Sequence, residues 1–396
     1  MRVLLIHDYG TLSGGAEVMI GNIRDILRAR GHEALLFTST ARPLPLPIVA
    51  DETCFGSVSP LRRGLQAANP HAVLRLRRVL REFRPDAVLV KMFLTQISPL
   101  VLPLLRDVPS VLNVINYNLV CPLNTKTLPS GSPCHSAAGA ICHSNGCIPW
   151  LGVARAALQR RLTDLSVFDQ VLANSRWVAE RLRADGVRVD GWIHNGVPQR
   201  GPRPPLGERP VIGYAGRLVP KKGVDVLLSA MAILNGRLAT ARLIIAGDGP
   251  ERSRLEAMAS TLGIRAAVDF RGHLDASDME SAMAPAWVQV VPSLWEEPFG
   301  IVAAEGMMRG TAVVASGAGG LTEQVVEGET GYLVPPGDPA ALARALERIL
   351  LDRDHAERLG AQGRRRALAL FTFDAYVNRM LGVLQSLAVR SRLAPA

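Results

Sequence analysis

The chain has 396 residues, 48% hydrophobic and 20% charged, which is enough apolar material for two ordinary α/β domains and argues against disorder. Its formal net charge of +10 favours an anionic partner such as a nucleotide or a phospholipid. With 5% aromatic residues and no recognised nucleic-acid module, a nucleic-acid partner is not expected.

The opening MRVLLIHDYG carries an apolar run too short for a secretory h-region and lacks a small-residue cleavage site, so it reads as a first buried strand. Later apolar stretches such as ISPLVLPLLRDVPSVL are interrupted by proline and charge before they could cross a bilayer, and the expectation is a cytoplasmic protein. After the strand RVLLIHD, a helix from Ala16 to Arg30 has apolar residues at Met19, Ile23, Ile26 and Leu27, with Gly31 as its C-terminal cap. EALLFTST, DAVLVK and SVLNVIN follow as strands, and the alternation predicts a parallel sheet wrapped by helices. Arg62, Arg63, Arg75, Arg77, Arg78, Arg81 and Arg84 sit among apolar residues at roughly helical spacing. That pattern fits a solvated helix face or, as the alternative, peripheral contact with the anionic inner face of a membrane.

The prolines and glycines of NGVPQRGPRPPLGERP can continue neither a helix nor a strand ladder, so residues 199–209 are expected to link a domain 1–198 to a domain 210–372. The second domain repeats the alternation through VIGYAG, RLIIAGDG, VDFRG, WVQVVPS, TAVVAS and GYLVPPGD. A helical stretch from Ala340 to Leu370 precedes an amphipathic segment, residues 373–396, whose Phe373, Tyr376, Met380, Leu384 and Leu387 need a surface to cover; the N-terminal domain is the expected one. The predicted fold class is α/β, with two Rossmann-like doubly wound domains and a cleft between them.

Four patterns in the second half suit a sugar diphosphate. In GYAGRLVPKKG a strand ends at Gly216, and Arg217 and Lys222 precede the next helix, where two cations reinforce the positive helix end around a diphosphate. In PSLWEEPFGIVAAEGMMRG, Glu297 lies at the mouth of a helix starting near Gly300 and Glu305 projects from a later turn; the amides of Phe299, Gly300 and Ile301 can meet sugar or phosphate oxygens. IIAGDGPE places Gly247 in a turn after a strand, and FRGHL places Gly272 beside Leu274 or the His273 backbone, which could border a base. Gly319 and Gly320 suit phosphate or tight packing equally.

The order GRLxxxKG, AGDGP, FxG, PSxxExFGxxxxE, GGxxE, GYLVPPGD resembles the family 4 retaining glycosyltransferases of GT-B fold, over the whole second domain. The resemblance implies that Arg217 and Lys222 hold the donor diphosphate, Glu305 the ribose hydroxyls, and Glu297 with the Phe299 to Ile301 backbone the transferred sugar. It also makes the first domain the acceptor side and gives the donor diphosphate the loop DYGTLSGGAEV, with Gly14 and Gly15 at a helix start. That loop is not the GxGxxG fingerprint, which weighs against a dehydrogenase. Many members carry a His-Asp pair before a Cys-Pro; here VLNVINYNLVCP has Ile115 and Asn116, neither a general base, leaving Asn116 and Asn118 as sugar or acceptor contacts. His7, Asp8 and Lys91 fall at strand ends where ligands gather, and Lys91 could read an acidic acceptor.

Cys121, Cys134, Cys142 and Cys147 fall in one segment, with His135 and His143 beside them. A structural zinc site, a disulfide-capable loop and reduced packing cysteines all remain open, because the spacings lack tight CxxC knuckles. The expected reaction is metal-independent transfer of a hexosyl group from a UDP- or GDP-sugar to a carbohydrate, lipid-linked or small-molecule acceptor, with retention and no required cofactor. The alternatives are a GT-B epimerase or phosphorylase, and a catalytically inactive nucleotide-sugar-binding partner.

Overall fold

The computed structural model describes residues 1–11, 14–60 and 62–393, and the chain divides into two compact units. The first comprises Met1–Pro129, Cys134–Gly196 and the terminal helix Phe373–Leu393; the second comprises Val197–Thr372 with Ser130–Pro133.

The first unit holds seven strands: β1 (Arg2–Tyr9), β2 (Glu33–Ser39), β3 (Glu52–Cys54), β4 (Ala87–Val90), β5 (Ser110–Val114), β6 (Gln170–Ala173) and β7 (Gly191–Trp192). They pair in parallel in the order β3-β2-β1-β4-β5-β6-β7. Every residue of β4 and β5 is buried, as expected of strands covered on both faces. Met19, Ile20, Ile23 and Leu27 of the helix Gly15–Ala29 share one core with Val3, Leu5 and Leu89. Tyr376, Val377, Met380, Leu384 and Leu387 of the terminal helix complete that core. Strand order reverses between β1 and β4, the kind of place where open α/β sheets take ligands.

The second unit has β8 (Val211–Ala215), β9 (Arg242–Ala246), β10 (Val268–Gly272), β11 (Val288–Val291), β12 (Ala312–Ser316) and β13 (Gly331–Val334). Their parallel order is β10-β9-β8-β11-β12-β13, with the reversal between β8 and β11. Each corresponds to a strand expected from the sequence, because each is a short apolar run bounded by glycine or proline.

Two helical stretches differ from expectation. The arginine-rich run is broken into Arg62–Ala67 and Pro70–Phe83, since Pro70 cannot donate to a preceding turn and Asn69 caps the second helix by accepting from the Ala72 amide at 3.0 Å. The stretch after Ala340 divides into Pro339–Leu350 and Arg353–Leu370, where Asp352 accepts from the His355 amide at 2.8 Å. No helix among the described residues is long and apolar enough to cross a membrane.

Candidate active site

In the second unit, the loops leaving β8, β9 and β10 are tied together by backbone. The Gly216 amide donates to Ala246 O at 3.0 Å, the Gly247 amide to Gly272 O at 2.7 Å, and the Leu218 amide to Asp248 O at 2.9 Å. A Cβ on Gly247 would stand 1.8 Å from Gly216 O, so only glycine lets these two turns touch. Gly272 lies against the Arg252 guanidinium, and Leu274 packs against the apolar cluster that includes Ala246 and Met283. Arg217, just past β8, is exposed, and its side chain makes no hydrogen bond or ion pair with the described residues.

A second close approach sets the charges. Gly223 is left-handed (φ +66°), and a Cβ there would lie 2.0 Å from Pro292 O; the Leu294 amide donates to Lys221 O at 2.9 Å. The lysine turn is thereby pressed onto the segment after β11, and Lys222 Nζ reaches Glu297 Oε1 at 2.6 Å. Ser293 Oγ, at 2.7 Å, and Trp295 Nε1, at 2.9 Å, donate to the same oxygen. Burial alone would raise the Glu297 pKa, but the Lys222 charge and these three hydrogen bonds outweigh it and hold the carboxyl below its ordinary range. Oε2 has no hydrogen-bond partner among the described residues. Lys221 stands 3.8 Å over the Trp295 ring, and burial lowers its pKa to about 8.

The helix Ile301–Arg309 starts at Gly300 with no side-chain cap, so its first-turn amides have no side-chain acceptor. The Phe299 side chain is buried and meets Phe371 edge-on at 5.6 Å, while Gln324 Nε2 donates to the carbonyls of Phe299 and Gly300. A Cβ on Gly319 would lie 2.3 Å from Glu297 O, and the Gly320 amide donates to that oxygen at 2.7 Å. Tight packing thus accounts for this glycine pair, which fixes the backbone that carries Glu297. Glu305 makes no ion pair or hydrogen bond with the described residues; burial raises its pKa, opposed by Arg309 and Arg200 and reinforced by Glu280.

In the first unit, the residues expected at ligand-facing strand ends turn inward. Asp8 Oδ2 accepts from Thr95 N and Oγ1 at 2.9 and 2.6 Å, and Oδ1 from the Gln96 and Ile97 amides at 2.8 and 2.9 Å. Its oxygens therefore cap the turn after β4. Lys91, 3% exposed, has Nζ 3.2 Å from Met19 Sδ and 3.4 Å from Tyr376 OH, and burial lowers its pKa to about 7. It borders a small cavity of about 20 Å³ together with Asn116 and Asn118. Buried His7 is lowered to about 4, first by burial and also by Lys91. Asn116 Oδ1 accepts from the Asn118 amide at 3.0 Å, holding its own turn. Gly14 is the extended N-cap residue of the helix Gly15–Ala29, and both glycines are exposed.

The five cysteines are free thiols. Cys121 Sγ accepts from the Lys126 amide at 3.4 Å, and Lys126 in turn pairs with Asp185 at 2.8 Å, the two side chains 1% and 8% exposed. Among the described residues no three His, Cys, Asp or Glu side chains are grouped to hold a metal ion.

A family model described as glycosyl transferases group 1 matches residues 199–366, and one described as glycosyl transferase 4-like domain matches residues 14–196. The chain belongs to the family 4 glycosyltransferases of GT-B fold. It is 31% identical over 184 residues to the α-D-kanosaminyltransferase of Streptomyces kanamyceticus, covering 46% of this chain and 47% of that one. It is 37% identical over 169 residues to a GDP-mannose-dependent α-(1-6)-phosphatidylinositol monomannoside mannosyltransferase of Mycolicibacterium smegmatis, covering 41% and 44%. The chain thus spans about half the length of the curated relatives it matches. Among solved structures, a sucrose-phosphate synthase from Thermosynechococcus elongatus superposes with a TM-score of 0.76 at 25% identity, covering 98% of this chain and 100% of that one. Anabaena HepE in complex with UDP shares the fold, with a TM-score of 0.70 at 20% identity over 98% and 100%.

Within this glycosyltransferase, sequence reasoning missed Lys221, Ser293 and Trp295. The doubled lysine of VPKKG and the PSLWEE segment were the available signals, but nothing in their spacing says that one lysine pairs with Glu297 while the other lies on a tryptophan.

Proposed function

We propose that the chain is a retaining, metal-independent hexosyltransferase that uses a UDP- or GDP-sugar to glycosylate an acceptor hydroxyl in glycan, glycolipid or glycosylated-metabolite biosynthesis. The observation that carries this reading is the 2.6 Å contact of Lys222 with Glu297, beside Arg217, whose charge acts on Lys221 and whose side chain has no partner among the described residues. In this reading Arg217 and Lys222 receive the diphosphate, together with the Gly216 turn and the Gly14 and Gly15 loop. Glu297 Oε2 and the helix start at Phe299 to Ile301 take the sugar hydroxyls. Glu305 accepts from the ribose diol, while Gly247, Gly272 and Leu274 border the nucleoside. The donor class is supported by the GDP-mannose dependence of the Mycolicibacterium relative.

Charge that develops on the departing diphosphate is met by cations already in position, which costs no reorganisation as the reaction proceeds. The bond from the anomeric carbon to the diphosphate oxygen breaks while the acceptor oxygen bonds the same face of that carbon. The acceptor proton passes to the departing phosphate oxygen, so no side-chain base is needed, in keeping with Ile115 and Asn116. Thermal-shift titration with UDP- and GDP-sugars, then NMR of the product anomer, tests the reading. Stabilisation by one nucleotide class and a retained anomer are expected; an inverted anomer or turnover abolished by EDTA overturns it.

The Asx turn that occupies Asn116 favours a second reading, an inactive nucleotide-sugar-binding partner. Tight donor binding with neither transfer nor slow donor hydrolysis would establish that one.

A further inference from the structure

A larger cavity in the first unit, about 320 Å³, opens beyond the ends of β1 and β4. Tyr9, Gln66, Asn124 and Arg155 are among the residues that line it. Arg155 lies on the helix Trp150–Leu162, and its pKa is lowered by burial and then by the nearby charges of Arg63 and Arg62. Arg62 also acts on the Tyr9 phenol. Arg155 lines the cavity itself, and Arg62 and Arg63, exposed at the start of the helix Arg62–Ala67, are near enough for their charges to act on it; none of the three has an ion pair or side-chain hydrogen bond with the described residues. Arg75 and Arg28 of the same unit, by contrast, are matched, Arg75 with Glu52 at 2.6 Å and Arg28 with Asp51 at 2.8 Å. Uncompensated like charges raise the energy of the fold unless an anion settles among them.

The remaining wall is mixed: Met92, Leu94 and Pro122 stand beside polar groups that are only partly used. Gln66 Oε1 is buried with no donor, although the Gln66 carbonyl accepts from Gln159 Nε2 at 2.9 Å. Asn124 Oδ1 accepts from the Tyr117 amide at 2.8 Å, leaving its NH2 group available. The Tyr9 hydroxyl accepts from Gln96 Nε2 at 3.4 Å and keeps its own proton to donate. A buried acceptor seeking a hydroxyl, two donors and a trio of cations together describe a ligand with hydroxyls at one end and negative charge at the other.

We infer that this cavity binds the acceptor, and that the acceptor is an anionic polyol whose phosphate or carboxylate lies on Arg155, with Arg62 and Arg63 adding positive charge beside it, while its hydroxyls meet Tyr9, Gln66 and Asn124. The inference rests on the glycosyltransferase reading and narrows it to a substrate class. A phosphate on a soluble sugar and a phosphate on a lipid headgroup share this chemistry.

The test is calorimetric titration of the full chain with glucose 6-phosphate, glucuronate and neutral glucose, vesicle flotation with phosphatidylglycerol against phosphatidylcholine, and UDP and GDP titrated in parallel. An anionic probe is expected to bind at least tenfold more tightly than glucose. Arg155→Ala, and separately the exposed pair Arg62→Ala with Arg63→Ala, should each lose at least tenfold of that affinity, with nucleotide binding unchanged. Binding of phosphatidylglycerol vesicles alone, lost in both variants, identifies a lipid as the source of the anion and supports the inference. Equal binding of charged and neutral probes, or arginine variants that bind as the parent does, overturns it. Arginine-dependent anion binding without any nucleotide binding supports the ligand class and overturns the donor reading instead.

Discussion

The strand ends of the two units are built on opposite plans. In the second unit backbone meets backbone: the turns after β8, β9 and β10 hydrogen-bond to one another through Gly216, Gly247 and Gly272, and the buried charge of Glu297 is matched by Lys222. In the first unit side chains fill the equivalent place. Asp8 is consumed in holding a turn, Lys91 is buried with no carboxylate partner among the described residues, and Arg155, with Arg62 and Arg63 close by, lines a cavity of mixed character. A site made of backbone tolerates drift in its side chains but demands glycine, so it leaves a pattern in the sequence. A site made of side chains changes with its ligand and leaves none.

The largest expected effect falls on the matched charge. Lys222→Ala removes a cation from the proposed leaving group and strands a carboxylate that is 7% exposed. Turnover should fall about 100- to 1,000-fold, as for the loss of one preorganised donor, and stability should fall with it. Adding Glu297→Gln should restore the unfolding midpoint in urea while turnover stays low; recovery of both would make the pair a structural strut only.

Next in size is the anchor of the cysteine segment. Asp185→Ala leaves the Lys126 ammonium buried without its partner and should cost about 3 kcal/mol. The measurement is urea unfolding together with the rate at which a thiol reagent labels Cys134 and Cys147. Unchanged labelling would show that the segment is held by something other than this ion pair.

This contrast also explains what could be read in advance. All six strands of the second unit were legible because each apolar run is closed by a glycine or proline, and Arg217, Lys222, Glu297 and Glu305 stand at distinctive spacings around them. In the first unit β3, β6 and β7 were not legible: ETC, QVLA and GW are too short to show a period, and their pairing is decided by tertiary contacts. Lys91 and Asp8 were correctly placed at strand ends, but sequence cannot say whether a side chain there turns outward. For Asp8 the turn Thr95–Ile97 decides it, and for Lys91 the terminal helix, which arrives from residues almost three hundred positions away to put Tyr376 on it.

Lys91 provides a smaller effect with a definite sign. Burial holds it near 7 in the fold, and the unfolded chain titrates at the ordinary lysine value of 10.5, so between those values the unfolded chain binds more protons. Stability should therefore rise with pH by about 1.4 kcal/mol per unit across this window, with the full penalty present below it. Lys91→Met should raise the Tm most below pH 7 and give no benefit near pH 10.5. A gain independent of pH would mean that the ammonium is solvated in the fold.

The smallest effect should come from Arg78, and it separates two kinds of arginine in the same unit. Arg78 pairs with Glu82 one helical turn on, with both side chains more than half exposed, at 58% and 62%. Ordering two long side chains in water offsets most of what their attraction contributes. Arg78→Ala should leave the unfolding midpoint unchanged, and it should leave binding of glucose 6-phosphate and of phosphatidylglycerol vesicles unchanged as well, because Asn69 and Pro70 start a new helix that separates Arg78 from Arg62 and Arg63. If vesicle flotation instead fell in Arg78→Ala and stayed intact in Arg155→Ala, the anionic contact would belong to the exposed face of the helix Pro70–Phe83. The positive charge of this unit would then serve attachment to a surface rather than selection of an acceptor.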